Sequence, residues 1–201
     1  MGIKLNGATS GSVELDVPAA IGSDIDFTLP GADGSSGQVL GTNGAGALSF
    51  INRVEWDQFQ LDAHVTSDGT LTNWIRSPHP SFGQVGTQMS ASSGIFTFPS
   101  TGYYLVIARP NFNIDDSDTL IMRTEVTTDN STYLLEGFAS DGNNGSGLRH
   151  GSGTSFTFVD VTDTSQVKVK FVANSIGSGS QFSGDASTPY TQVTFVRLGD
   201  T

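Results

Sequence analysis

Cysteine is absent from the 201 residues. Disulfide frameworks, thiolate zinc sites and cysteine nucleophiles are therefore excluded. Basic residues are scarce: Lys and Arg number 9 against 20 Asp and Glu, a formal net charge of −11. Phosphate binding needs clustered cations, so nucleic acid is not expected as a partner. No run of about 18 apolar residues occurs, which argues against membrane insertion. The opening MGIKLNGATSG lacks the apolar segment of a signal peptide. Windows rich in Ala, Leu and Glu with a period near 3.6 are missing too, so almost no helix is expected. Histidine is limited to His64, His79 and His150. None sits at a metal-binding pair spacing, and no serine lies in a G-x-S-x-G frame, so no catalytic or metal-ligating residue is assigned.

What is present is turn chemistry. Glycine is high at 25 residues, and Ser, Thr, Asn and Asp are abundant. This is the composition of many short strands joined by turns. The chain reads best around Gly94–Ala108, GIFTFPSTGYYLVIA. Ile95, Phe96 and Phe98 run into Pro99, which cannot donate to a ladder and ends the strand. Ser100, Thr101 and Gly102 are turn formers, and Gly102 tolerates a positive φ. Tyr103 to Ile107 is apolar on both faces, which suits a strand buried on both sides, inside a sandwich or at an oligomer contact. Two buried strands joined by a tight turn are expected here.

Residues 1–50 and 51–201 differ in composition and are expected to form an anchoring arm and a head. In the arm, Val13–Pro18 and Ile25–Pro30 each alternate apolar and polar residues, stop at proline and precede a small-residue turn. Val39-Leu40 and Leu48–Phe50 flank the tight-turn signal Asn43-Gly44. Strands this short cannot hide their own apolar faces. Something else must cover Val13, Leu15, Val17, Ile25, Phe27 and Leu29: two more copies in a fibrous stem, or a neighbouring protein. In the head, about ten strands at sandwich spacing are expected, with a bulge near Asp57–Gln58. Thr119–Thr127 and Thr132–Ala139 read as a hairpin, residues 140–153 and 175–187 as long loops, and Tyr190–Leu198 as a central closing strand.

Asp115, Asp116 and Asp118, and Asp141, Asn143 and Asn144, offer oxygen ligands suited to Ca²⁺. Neither group has the twelve-residue calcium-loop spacing, and solvated turn residues are the preferred reading, so no cofactor is assigned. Trp56 is expected in the core. Trp74, His79, Asn143, Asn144, Arg149 and His150 are candidate receptor contacts in or beside loops 77–87, 140–153 and 175–187. Tyr103, Phe112, Phe171 and Phe195 are candidates for an interface between copies, against the alternative of core packing within one copy.

Two resemblances rest on these segments. GIFTFPSTGYYLVIA, the following hairpin and the closing TFVRLGD resemble the tumour-necrosis-factor-like jelly roll, also seen in complement globular heads. In that family a phenylalanine-rich strand, a turn with proline, glycine and tyrosine, and an aromatic last strand recur, and here Phe98, Pro99, Gly102, Tyr103 and Phe195 stand in those roles. That resemblance implies an all-β, ten-stranded jelly-roll head forming homotrimers. LNGATSGSVELDVPAA, TLPGADGSSGQVLGTNGAGALSF, TTDNSTY, DVTDTSQVKVKF and TFVRLGDT resemble virion structural proteins of marine and cyanobacterial tailed phages. It implies a trimeric appendage located in the virion: a tail fibre or spike whose arm joins other virion proteins and whose head meets a host surface glycan. A capsid decoration protein and a carbohydrate-binding lectin module are the alternatives. Release by lysis would take such a protein outside the cell without a signal peptide.

Overall fold

The computed structural model describes residues 3–6, 9–10, 12–15, 23–35, 38–52, 54–78 and 84–201. Every helix or strand element among them is a strand. The chain divides into two compact units, Met1–Arg53 and Val54–Thr201.

In the first unit, β1 (Ile3–Asn6) pairs antiparallel with β2 (Ser12–Leu15). A second hairpin joins β3 (Gln38–Thr42) to β4 (Leu48–Asn52). Strand β4 runs through the boundary expected at residue 50. The Asn43 side chain organises the turn between them, its Oδ1 accepting from the N–H of Ala45 at 2.9 Å and Ala47 at 3.1 Å. Gly44 and Gly46 take the positive φ values, 77° and 90°, that the turn needs. Two expectations fail here. Strand β1 was not anticipated. Residues 25–30 make no strand beyond one parallel bridge, Thr28 to Ala47; among the described residues Thr28 is the one member of that run with backbone partners, in Gly46 and Leu48.

The head contains β5 (Glu55–Leu61), β6 (Gly69–Thr70), β7 (Trp74–Arg76), β8 (Ser90–Ser92), β9 (Ile95–Thr97), β10 (Gly102–Arg109), β11 (Asn111–Ile114), β12 (Thr119–Thr127), β13 (Leu134–Gly142), β14 (Arg149–Ser152), β15 (Ser155–Val161), β16 (Lys168–Asn174), β17 (Gln181–Phe182) and β18 (Gln192–Gly199). Two sheets make the sandwich. One has the order β15-β10-β18-β5-β7, the other β13-β12-β16-β9-β8 with β6 beside β16. A small third sheet, β14-β11-β17, continues the first beyond Pro110. The closing strand is central, between β10 and β5.

The core lies between the two sheets. Phe59, Leu61, Tyr104, Val106, Val159, Val193 and Phe195 point inward from one layer; Phe96, Leu120, Met122, Val169 and Phe171 answer from the other. Phe96 is the hub: its ring lies 5.0 Å from Phe59, 5.6 Å from Phe171, 5.0 Å from Phe195 and 5.8 Å from Trp74. Edge-to-face pairs at such distances add to the burial term.

The segment 94–108 is not a hairpin. Strand β9 pairs with β16 and β8 in one sheet, and β10 with β15 and β18 in the other. The turn at 98–102 therefore carries the chain across the core. Phe98 stacks on Tyr104 at 4.7 Å, and the Tyr104 hydroxyl donates to the Ser100 carbonyl at 3.1 Å. Gly102 has φ 137°, and a Cβ there would overlap the carbonyl oxygen of Gly199. Arg197 Nε and Nη2 donate to the Thr101 carbonyl at 3.1 and 3.0 Å, tying this crossing to the last strand.

The bulge expected at Asp57–Gln58 does not form; β5 keeps one register with β18 from Glu55 to Gln60. The sequence misleads because Trp56 faces outward while Phe59 and Leu61 face the core. Asp57 takes the inward position before Phe59, buried; Arg76 neutralises it at 2.9 Å, and its Oδ2 accepts from the Met89 N–H at 3.0 Å. Breaks in register fall elsewhere, between Thr124 and Glu125 on β12 and between Tyr103 and Tyr104 on β10.

Replacing Phe96 by Ala removes the hub of the aromatic cluster and is expected to cost about 3–5 kcal/mol. Urea unfolding at constant protein concentration reads this as a lowered midpoint. A loss below about 1 kcal/mol would show that the cluster does not organise the core.

Candidate functional site

Strand β10 has two apolar faces, and the described residues bury one of them fully and the other only in part. Tyr104, Val106 and Ala108 enter the core; Tyr103 is exposed, and Leu105 and Ile107 are partly so, on the outward face of the five-stranded sheet. Antiparallel register sets neighbours beside them. Leu105 stands opposite Phe158 on β15 and Val196 on β18, and Val196 stands opposite Trp56 on β5. Trp56 in turn bridges to Val85. Phe158, Leu105, Val196, Trp56 and Val85 thus form one apolar row across the sheet. A second row holds Phe156, Ile107, Thr194 and Gln58. Phe158 is 72% exposed and Phe156 63%, extreme values for phenylalanine in a sheet.

A second apolar surface lies at the open side of the sandwich, where β15 ends one sheet and β13 ends the other. A cavity of about 440 Å³ there is lined by Leu135, Glu136, Gly137, Phe138, Ser155 and Phe156. Leu134, Leu135 and Phe138 are exposed beside it. The hydroxyls of Ser155 and Thr157, both buried, have no hydrogen-bond partner among the described residues. A Cβ at position 137 would overlap Thr157 Oγ1, so this glycine lets the two strands approach closely.

Of the expected interface residues, Tyr103 alone remains available. Phe112, Phe171 and Phe195 are buried in the head's own core and have no area to give a second copy. Each sits on the inward phase of its strand: Phe112 stacks on Phe182 at 5.0 Å, and Phe171 and Phe195 join the Phe96 cluster. The apolar rows were missed because their members alternate with core residues, and phase cannot be read from one strand alone. The tryptophans are reversed. Trp74 is a core residue, its Nε1 donating to the Leu71 carbonyl at 2.8 Å, and cannot meet a receptor. Trp56, expected in the core, is on the outward face.

Residues 140–153 are not one long loop. Strands β13 and β14 take residues 140–142 and 149–152, leaving 143–148 as the loop. Asn143 is buried and spent on that loop: its Nδ2 donates to the carbonyls of Ile114 at 3.2 Å and Gly147 at 2.7 Å, and its Oδ1 accepts from the Gly145 N–H. It cannot be a receptor contact. Asn144 is exposed. Arg149 pairs with Asp141 at 2.8 Å, and His150 Nδ1 lies 2.6 Å from Asn113 Oδ1. Both stay at the surface. Val17 and His79 lie outside the described residues, and of Val13 and Leu15 the backbone alone is described. Ile25, Phe27 and Leu29 are exposed, Leu29 at 71%.

The acidic groups serve the turns. Asp129, Asp163 and Asp185 each begin a D-x-S sequence and each accept the N–H two residues on, from Ser131, Ser165 and Ser187. The Thr132 N–H, the Thr127 hydroxyl and the Ser131 N–H hold Asp129 far below the usual carboxylate range. The Ser165 hydroxyl and N–H lower Asp163, and the same groups of Ser187 lower Asp185. At Asp118 burial raises the pKa, but bonds from Ser180, Gly177 and Thr119 outweigh it. Among the described residues, no three His, Asp or Glu side chains converge as metal ligands.

No family model matches this sequence. No curated protein matches it either. Solved structures do match in fold. Murine APRIL at pH 5.0 aligns with a TM-score of 0.54 and 14% identity, over 72% of this chain and 99% of that one. Eiger TNF from S. frugiperda aligns at 0.54 and 17% identity, over 75% and 96%.

These carboxylates are more acidic folded than unfolded, so their contribution is complete above the unfolded value near pH 4 and is lost as pH falls through the lower folded values. The melting temperature is expected to hold between about pH 7 and 5 and to drop below about pH 4. A steady decline already above pH 5, followed by circular dichroism, would contradict the turn assignment. The sandwich, its strand order and these neighbours make the head a jelly roll of the tumour-necrosis-factor kind.

Proposed function

We propose that this chain is a non-enzymatic structural protein of a bacteriophage particle: a homotrimeric surface appendage of the tail-fibre or spike kind. The head is displayed toward the host surface, and residues 1–50 attach it to other virion proteins. One observation carries the reading, the uncovered apolar rows on the five-stranded sheet. A monomer in water gains by burying such a face, at roughly 25 cal/mol per Å².

The head carries two apolar surfaces that differ in shape, a flat sheet face and an edge with a groove. A two-fold dimer would pair like with like. Two unlike patches suit a head-to-tail contact instead, and such contacts close into a ring when the rotation allows it. Three copies, each laying its β13–β15 edge on the next copy's face, would bury both. The tumour-necrosis-factor-like resemblance supports the number three. Phage assignment rests on the resemblance of the sequence segments, and the exposed Ile25, Phe27 and Leu29 favour an arm that lies along another protein. That same exposure suits a capsid decoration protein, which would clamp capsomers with the arm.

Light scattering on the full chain is expected to give about three times the 21.1 kDa of one chain. Val196→Asp, placing a charge mid-row at the surface, is expected to yield folded monomer. A compact 21.1 kDa species for the unaltered chain at micromolar concentration would overturn the trimer. Gold-labelled antibody against the head should decorate particle tails; label on the head shell would favour decoration, and absence from particles would defeat both.

A further inference from the structure

Strand β10 ends at Arg109 because Pro110 has no N–H to give the ladder. Pairing with the β14–β15 side stops at Ala108–Ser155 and resumes at Asn111–Ser152. The interruption leaves a surface cavity of about 300 Å³, lined by Arg109, Pro110, Asn111, Ser152, Pro189 and Tyr190. It lies at the polar end of the outward face, where Arg109 follows Leu105 and Ile107 in the same phase. The cavity is built from fixed parts. Thr191 Oγ1 accepts from the Asn111 N–H at 3.1 Å and donates to the Asn111 carbonyl at 3.3 Å, which anchors the backbone next to Tyr190. Buried Gln192 accepts from Arg109 Nη2 at 2.8 Å and holds the guanidinium in place. The Tyr190 ring is exposed.

Charge sets Arg109 apart. Arg76, Arg123, Arg149, Lys170 and Arg197 each pair with a carboxylate. Lys168 donates to the Thr164 carbonyl, within the turn that Asp163 organises. Among the described residues Arg109 is the arginine held by a neutral amide instead, in a chain of net charge −11. Most of its donors remain unused. An arginine fork recognises a carboxylate in two parallel bonds. An exposed aromatic ring offers a platform for the C–H face of a sugar, and the Asn111 carboxamide and Ser152 hydroxyl suit sugar hydroxyls.

We propose that this cavity binds an acidic sugar, with Arg109 on its carboxylate, Tyr190 against its ring face, and Asn111 and Ser152 on its hydroxyls. The proposal deepens the host-surface reading given above and rests on that part of it, independently of the trimer.

The test is a saturation-transfer NMR titration of the full chain with sodium glucuronate, glucose and sodium acetate. Glucuronate is expected to bind about tenfold more tightly than glucose, which lacks the charge, or acetate, which lacks the ring. Arg109→Gln should bring glucuronate down to the level of glucose. Tyr190→Ser should weaken glucuronate and glucose together. Both positions are at the surface, and an unchanged melting temperature confirms that the variants fold. No transfer from glucuronate, equal binding of glucuronate and glucose, or an Arg109→Gln variant that binds as before would each overturn the site. Light scattering of the same samples reports the trimer separately, so either idea can fail alone.

Discussion

The structure depends on a single constraint: a strand in a two-sheet sandwich has two faces, and a single chain has enough core to cover one. Strand β10 carries Tyr104, Val106 and Ala108 on one face and Tyr103, Leu105 and Ile107 on the other. The first set joins Phe195 and Phe96 in the core. The second faces outward with Phe158, Val196 and Trp56. Neither set is decorative; β-branched and aromatic residues on both faces are what a strand between two dry layers needs. The chain supplies one of those layers.

The crossing at 98–102 makes this arrangement. Pro99 ends β9, Gly102 accepts a backbone conformation that other residues resist, and Tyr104 returns a hydroxyl to Ser100. Arg197 closes the crossing from the last strand. Phe96 and Tyr104 thereby enter one core from opposite sheets. The D-x-S turns do similar work at the rim, trading solvated aspartates for fixed loop geometry.

Much of the fold was legible in the sequence, because proline, glycine and period-two alternation report strand ends directly. The β12–β13 hairpin, the strand at Ser155–Val161 and the central place of the last strand all follow from that pattern. Partner choice was not legible. Nothing local says that β9 and β10 belong to different sheets, and a tight turn between apolar strands reads as a hairpin. Phase was lost for the same reason: Phe195 and Val196 are adjacent, yet one fills the core and the other the outward row. The expected interface aromatics fell on the wrong face in three of four cases, leaving Tyr103. Trp56 and Trp74 exchanged roles because an aromatic in an alternating strand suits either face. Asn143 looked like a loop-tip contact, but amides with four hydrogen-bonding positions often build the loop they sit in.

The central claim is that the outward face of one copy is covered by the β13–β15 edge of another. A photo-activatable residue at Leu105, irradiated in an equimolar mixture of isotopically light and heavy chains, tests it most directly. The account predicts mixed-isotope cross-links from position 105 to peptides spanning 134–138 or 155–158. Cross-links confined within one chain, or joining position 105 of one copy to position 105 of another, would contradict it.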